Sequence, residues 1–313
     1  MNYRNTTTLK DDDRLRESFN ELTRKTFGFD FVNWYEAGHW GGLYIPHAML
    51  DGEKVISNVS VNFMQFDMGG EKKSYIQLGT VMTDEEYRGQ GLNKSIMEWI
   101  FSLYGKEIDG IYLFAGDDVL NYYPKYGFKP IKEYEYYLSV GANAKKLHGK
   151  EDMQTQIEEA ATYTFQKIDM QDAAQAEDLY RFLEEYEISA SEKNQNDGMY
   201  MNQNVNLYQF WFGAGYSDKV YYIKEADAYV VMELEADKLM VYQVFGKQEV
   251  DMQILAQSLK AQIKEVVLGF TPAQKEKYLV REHKEEDCTL FIWGKDLEQI
   301  EKKQMMFPLL SHA

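Results

Sequence analysis

The chain of 313 residues has a single cysteine, Cys288. One thiol can neither close an internal disulfide nor build a cysteine cluster, so nothing points to an oxidising compartment or to a metal site such as zinc. Long apolar runs are also missing. None approaches the ~20 residues of a membrane-spanning helix, and the opening MNYRNTTTLKDDDRLRESF has no apolar signal core. The expectation is a cytoplasmic protein without a membrane partner. Positive charge is short as well, with a net charge of −17. Residues 1–150 hold 18 Lys+Arg against 21 Asp+Glu, and residues 151–313 hold 16 against 30. That balance argues against nucleic acid as a partner, above all for the second half. It is compatible with a cationic or amine substrate, although acidic surfaces commonly serve solubility alone.

What is present suffices for a sizeable core. Apolar residues make up 44% and aromatic residues 15%, with 24 tyrosines, most of which must be packing residues. The length fits about two domains of ~150 residues. In the first half, residues 11–27 read as a helix with Leu15, Phe19, Leu22 and Phe27 near one face. The aromatic stretch GFDFVNWYEAGHWGGLYIPHAML reads as a loop. Strand patterns follow at 54–66 and 73–83 about a turn at Met68-Gly69-Gly70-Glu71, then a helix to about Tyr104. The strand GIYLFA (110–115) and a final strand in EYEYYLSV complete this half. The second half repeats the order, with strands in TYTFQKI, VYYIKE, AYVVMELEA, KLMVYQVF, EVVLGFTP and CTLFIWGK and helices at 170–187 and 251–263. The predicted class is α+β (α/β), in two related domains at 1–145 and 160–313. Each is expected to be a mixed, mostly antiparallel central sheet flanked by helices. The charged segment 141–160 is the predicted connection.

The stretch YRGQGLNKSIMEWI (87–100) sets two glycines before a helix whose stripe is Leu92, Ile96, Trp99, Ile100 and Leu103. A helix N-terminus exposes unpaired N–H groups and partial positive charge, and glycines let backbone approach an anion closely. Two phosphate motifs are excluded. The dinucleotide fingerprint needs a glycine where Lys94 stands, and a P-loop needs a glycine just before that lysine. By itself, the loop is a weak signal. About thirty residues later comes YYPKYGF (122–128).

With both motifs in place, residues 10–140 resemble the GCN5-related N-acetyltransferase (GNAT) superfamily. The matching segments are Arg88-Gly89-Gln90-Gly91-Leu92-Asn93, with Asn in place of a final Gly or Ala, and Tyr123-Pro124-Lys125-Tyr126-Gly127-Phe128. The second half looks like the same fold without the loop, because Glu249 and Asp251 stand where phosphates would sit. The resemblance implies acetyl-CoA as acyl donor and direct attack by a primary amine, with no metal. Backbone groups of Val81, Met82 and Thr83 would pair with the pantetheine arm, and those of Arg88 to Asn93 would hold the pyrophosphate. Tyr123 is implied as general acid at the thioester sulfur. Asp30, Trp34, Tyr35, Glu36, His39 and Trp40 are acceptor-site candidates, since in this family their loop lines the acceptor pocket. For the base, Asp117, Asp118, His39 and His47 are open alternatives. So is the chain end at Ala313, by similarity to multidomain acetyltransferases resembling the enhanced-intracellular-survival protein. The apolar tail MMFPLLSHA is expected to dock. A small-molecule amine is the expected partner. A peptide or protein acceptor, or a non-catalytic acetyl-CoA sensor, are the alternatives.

Overall fold

The computed structural model describes residues 3–140, 162–190, 198–246, 248–259 and 261–313. The predicted connection at 141–160 lies outside the described residues. The first half contributes β1 (Arg4–Thr6), α1 (Asp13–Phe27), α2 (Val32–Glu36), β2 (Tyr44–Asp51), β3 (Lys54–Met68), β4 (Glu71–Thr83), α3 (Leu92–Tyr104), β5 (Gly110–Ala115), β6 (Lys129–Pro130) and β7 (Tyr134–Ser139). The second contributes β8 (Phe165–Lys167), α4 (Ala173–Ala190), β9 (Met199–Asn202), α5 (Val205–Gly213), β10 (Val220–Ile223), β11 (Ala228–Glu235), β12 (Lys238–Gly246), α6 (Met252–Ser258), β13 (Glu265–Leu268), β14 (Leu279–Glu282), β15 (Thr289–Trp293) and α7 (Gln299–Lys302). Local chemistry explains the first helix. The Asp12 carboxylate accepts from the N–H groups of Arg14 (3.0 Å) and Leu15 (3.1 Å), and Leu15, Phe19 and Leu22 are buried on one face.

These strands form two mixed, mostly antiparallel sheets. One has the order β1-β2-β3-β4-β5-β15-β6, with β9 added to the far end of β3. The other has the order β14-β7-β13-β12-β11-β10-β8. Each contains one parallel pair, β4 with β5 and β12 with β13. The resemblance between the halves therefore extends to strand direction. Sequence order and sheet membership differ at one place, however. The strand from EYEYYLSV lies in the second sheet beside β13, and the strand from CTLFIWGK lies in the first beside β5. The halves have exchanged equivalent strands, so each sheet is completed by the other half. The stretch read as one aromatic loop also contains β2, paired with β3 from Tyr44 to Asp51.

Trp40 is 1% exposed within an aromatic cluster of Phe19, Phe31, Trp34 and Tyr44, and its indole N–H donates to the Tyr44 carbonyl (3.1 Å). Trp40→Ala is expected to cost roughly 3–5 kcal/mol, the range for removing a buried large aromatic. Urea unfolding of the purified protein checks this. The tail docks as expected. Met305, Met306, Phe307 and Leu310 are buried, and Phe307 stacks on Tyr112 at 3.9 Å. Its N–H donates to Glu133 (2.8 Å), while Met306 exchanges two hydrogen bonds with the Thr271 hydroxyl.

Candidate functional site

β4 and β5 are paired only from Tyr75 to Gln77 against Gly110 to Tyr112. Beyond Gln77 they part, and a cavity of about 1150 Å³ fills the gap. A bulge shapes its floor. Across the β3–β4 pair Ser60 faces Gly79 and Asn58 faces Met82, so Val59 alone opposes Thr80 and Val81. Thr80 has φ +42°, a costly conformation for a β-branched residue. Polar bonds hold it there. The Thr80 hydroxyl bonds with the Tyr44 hydroxyl (2.7 Å) and donates to Ser60 (2.6 Å), while the Asn58 amide donates to the Thr80 carbonyl (3.0 Å).

At one end of the cavity lies the glycine loop. Gly89 and Gly91 have φ +77° and +75°, and a Cβ built on either would meet open space. Their torsions, rather than crowding, require glycine. Gly91 is the N-cap of α3, with no side chain capping the 13-residue helix. Its first-turn N–H groups therefore face the opening without an internal acceptor. Arg88, Gly89, Gly91, Leu92, Asn93 and Lys94 line this end. Gln90 does not line it, and its side chain instead accepts from the Tyr3 hydroxyl (3.1 Å). Asn93, the motif mismatch, leaves the loop open because its side chain turns to the sheet and accepts from Ser57 (2.5 Å). In the second half the corresponding helix has its own anion: Asp251 accepts from Gln253 and Ile254 N–H (2.8 and 3.0 Å).

Val81, Met82 and Thr83 all line the cavity. Asp84 N–H bonds to Ile56 on β3, so strand alternation turns the backbone of Met82 towards β3 as well. That leaves the amides of Val81 and Thr83 for the cleft, and the Thr83 carbonyl accepts from Arg88 Nε (3.3 Å). Tyr123 lines the cavity wall, 6% exposed, with its ring against Phe128 and Phe291. Phe291 belongs to the exchanged strand β15. Burial, with a lesser contribution from Asp118, pushes the Tyr123 phenol up to about 12. The tail enters from the opposite side. The Ala313 carbonyl oxygen accepts from Gln77 Nε2 (3.2 Å), and a Cβ on Gly79 would come within 2.7 Å of that oxygen. Trp211 Nε1 donates to the His312 carbonyl (2.9 Å), and the His312 ring stacks on Phe114 at 3.8 Å. Burial pushes the His312 imidazole down to about 3.

No protein-family model matches the sequence, and no curated protein matches it. Solved structures do match. A conserved Enterococcus faecalis V583 protein described as a probable N-acyltransferase has a TM-score of 0.54 at 15% identity, over 97% of this chain and 75% of that one. A GCN5-related N-acetyltransferase from Kribbella flavida has a TM-score of 0.53 at 15% identity, over 95% and 72%. Eis1 from Mycobacterium abscessus has a TM-score of 0.53 at 12% identity, over 92% and 72%. The chain has the fold of the GCN5-related N-acetyltransferases.

Within this acetyltransferase fold the predicted acceptor residues divide. Asp30 and Trp34 line the cavity, whereas Tyr35, Glu36, His39 and Trp40 do not. Trp40 is core. The Tyr35 ring takes the Arg16 guanidinium at 3.6 Å, Glu36 is exposed, and His39 packs edge-on to Tyr180. His47 is fully buried against Trp99 and Tyr104, and burial pushes its imidazole down to about 4. Both Asp117 and Asp118 are exposed; Asp118 lines the cavity, whereas Asp117 does not and its N–H bonds to Asp287 (2.5 Å). Sequence reading missed Gln77, Tyr44 and Thr80, and all of the wall that α5 supplies. An isolated glutamine inside the apolar run YIQLGTV was a signal for the first. Among the described residues no helix is long and apolar enough to cross a membrane, and no group of three His, Cys, Asp or Glu is placed to hold a metal ion.

Proposed function

We propose that the protein is an acetyl-CoA-dependent N-acetyltransferase acting on a primary amine of a small molecule. One observation carries this reading. The uncapped N-terminus of α3, with its two left-handed glycines, opens into the same cavity that Tyr123 lines. The loop amides from Arg88 to Asn93 fit a pyrophosphate in kind, being donors at a helix N-terminus flanked by Arg88 and Lys94. The edge of β4 at Val81 and Thr83 offers backbone partners to an extended amide-bearing arm. When bound, acetyl-CoA supplies an activated acyl group. In the transfer the amine nitrogen forms a bond to the carbonyl carbon, the carbon–sulfur bond breaks, and one amine proton ends on sulfur. Tyr123 donates a hydrogen bond to the departing sulfur. For the other proton, the candidate acceptors on the cavity are the chain end at Ala313 and Asp118, whose side chain has no ion-pair partner among the described residues.

Calorimetry and a thiol-release assay test this reading together. Acetyl-CoA should bind at one molecule per chain, because Asp251 fills the corresponding site in the second half. Free thiol should appear only when an amine is added. Binding without thiol release across a broad amine panel would instead indicate a sensor module, and two bound molecules per chain would contradict the single-site assignment.

A further inference from the structure

Although the chain is strongly acidic, its cavity is not. Among the described residues lining it, the acidic groups are the Asp30 and Asp118 side chains and the chain end at Ala313, set against Arg88 and Lys94 at the loop end. Asp30 is already engaged. It accepts from Arg24 (2.6 Å) and from Val32 N–H (3.0 Å), and these bonds outweigh the upward push of burial and hold its carboxyl below the ordinary range. Away from the loop the wall is aromatic, and both halves build it. Phe29, Phe31 and Trp34 come from the segment after α1, and Phe210 and Trp211 from α5. Phe210 meets Phe31 and Trp34 at 5.6 Å and Phe29 at 6.2 Å. Trp34 is fixed by its N–H bond to the Asn206 carbonyl (2.9 Å). Phe29 is 40% exposed, leaving apolar surface at the mouth.

We infer that the acceptor is a monoamine carried on an apolar, ring-bearing body, of the arylalkylamine class, rather than a polycation. This rests on the acetyl-transfer reading and names the substrate of that site. A polyamine or aminoglycoside carries several ammonium groups. Those beyond what Asp118 and the chain end at Ala313 can meet would leave water for an aromatic wall, which is costly. An arylalkylamine brings one ammonium and a ring. Its ring packs edge-on or offset among the wall aromatics, and its nitrogen points towards Asp118 and Tyr123.

The test uses the full chain with saturating acetyl-CoA and a panel of 2-phenylethylamine, tryptamine, spermine and kanamycin. The arylalkylamines should show kcat/KM about tenfold or more above the polycations, in line with the discrimination a shaped apolar pocket achieves. Phe29→Ala and Phe210→Ala should each raise KM for 2-phenylethylamine about tenfold and leave KM for acetyl-CoA unchanged. Preference for spermine or kanamycin, or variants with unaltered KM for 2-phenylethylamine, would overturn the inference. If no amine releases thiol, the acetyl-transfer reading fails. Direct calorimetry with 2-phenylethylamine then still decides the acceptor class: binding that weakens in Phe210→Ala supports it, and no binding overturns it.

Discussion

Replacing Tyr123 with phenylalanine should lower kcat about 100- to 1000-fold, the range for removing one hydrogen-bond donor aimed at charge that develops in the transition state. The substitution deletes one hydroxyl and keeps the ring that packs on Phe128 and Phe291. Affinity for acetyl-CoA and thermal stability should therefore hardly move. The raised phenol sharpens what the hydroxyl does. A thiol titrates near ~8.5, well below the value of about 12 to which burial lifts Tyr123. Outright transfer of its proton to a thiolate would be uphill by several units. Tyr123 is better suited to keep its proton and stabilise charge on sulfur as the bond breaks. Its neighbour Tyr122 provides the control. Both tyrosines line the cavity, and the Tyr122 oxygen accepts from the Tyr126 hydroxyl (3.0 Å), but only Tyr123 stands at the motif position proposed for the sulfur. Tyr122→Phe should cost far less in kcat. Single-turnover rates of thiol release distinguish the two, and normal turnover in Tyr123→Phe would remove the assignment.

What could be read from sequence was local. RGQGLN and YYPKYGF each lie within one short segment, so their spacing survived into the cavity unchanged. The strand exchange could not be read that way. EYEYYLSV and CTLFIWGK have patterns that satisfy either sheet, because a strand's alternation says which face it buries and not which edge it joins. The acceptor wall was hidden for a related reason. Val205–Gly213 (VNLYQFWFG) is apolar on most sides, so its period does not show that Phe210 and Trp211 face a cavity built largely by the other half. The aromatic loop was misread in part because Trp40 and Trp34 look alike in sequence. Only packing shows that Trp40 is sealed in the core while Trp34 reaches the cavity. Glutamine at 77 had a sequence signal, but its partners did not. Tyr112 donates to its carbonyl oxygen (3.3 Å) and its amide holds Ala313, 236 residues along the chain.

The two helix N-termini differ in a way that single substitutions can transfer. In the second half Asp251 occupies the amides of α6 with its own carboxylate. In the first half Gly91 leaves those of α3 uncapped. Gly91→Asp should therefore convert the open cradle into a self-capped one. The new carboxylate would compete for the first-turn N–H groups and set a negative charge beside any phosphate. The left-handed φ of +75° strains any residue with a Cβ, least of all aspartate and asparagine, so the helix start should persist at a cost of roughly 1–2 kcal/mol. Stability should fall by no more than that strain, while acetyl-CoA affinity should fall about 100-fold or more, equivalent to roughly 2.7 kcal/mol. Charge-assisted bonds to a helix N-terminus are each worth about 1.5–3 kcal/mol, so the loss of one or two suffices. Gly91→Asn offers the same backbone and a similar cap without the charge, and should lose less. A titration in which Gly91→Asp binds acetyl-CoA as tightly as the parent would place the pyrophosphate elsewhere. The reciprocal change, Asp251→Gly, should not create binding in the second half, because α6 has only 7 residues and Glu249, paired with Lys277 at 2.7 Å, keeps a carboxylate near its start.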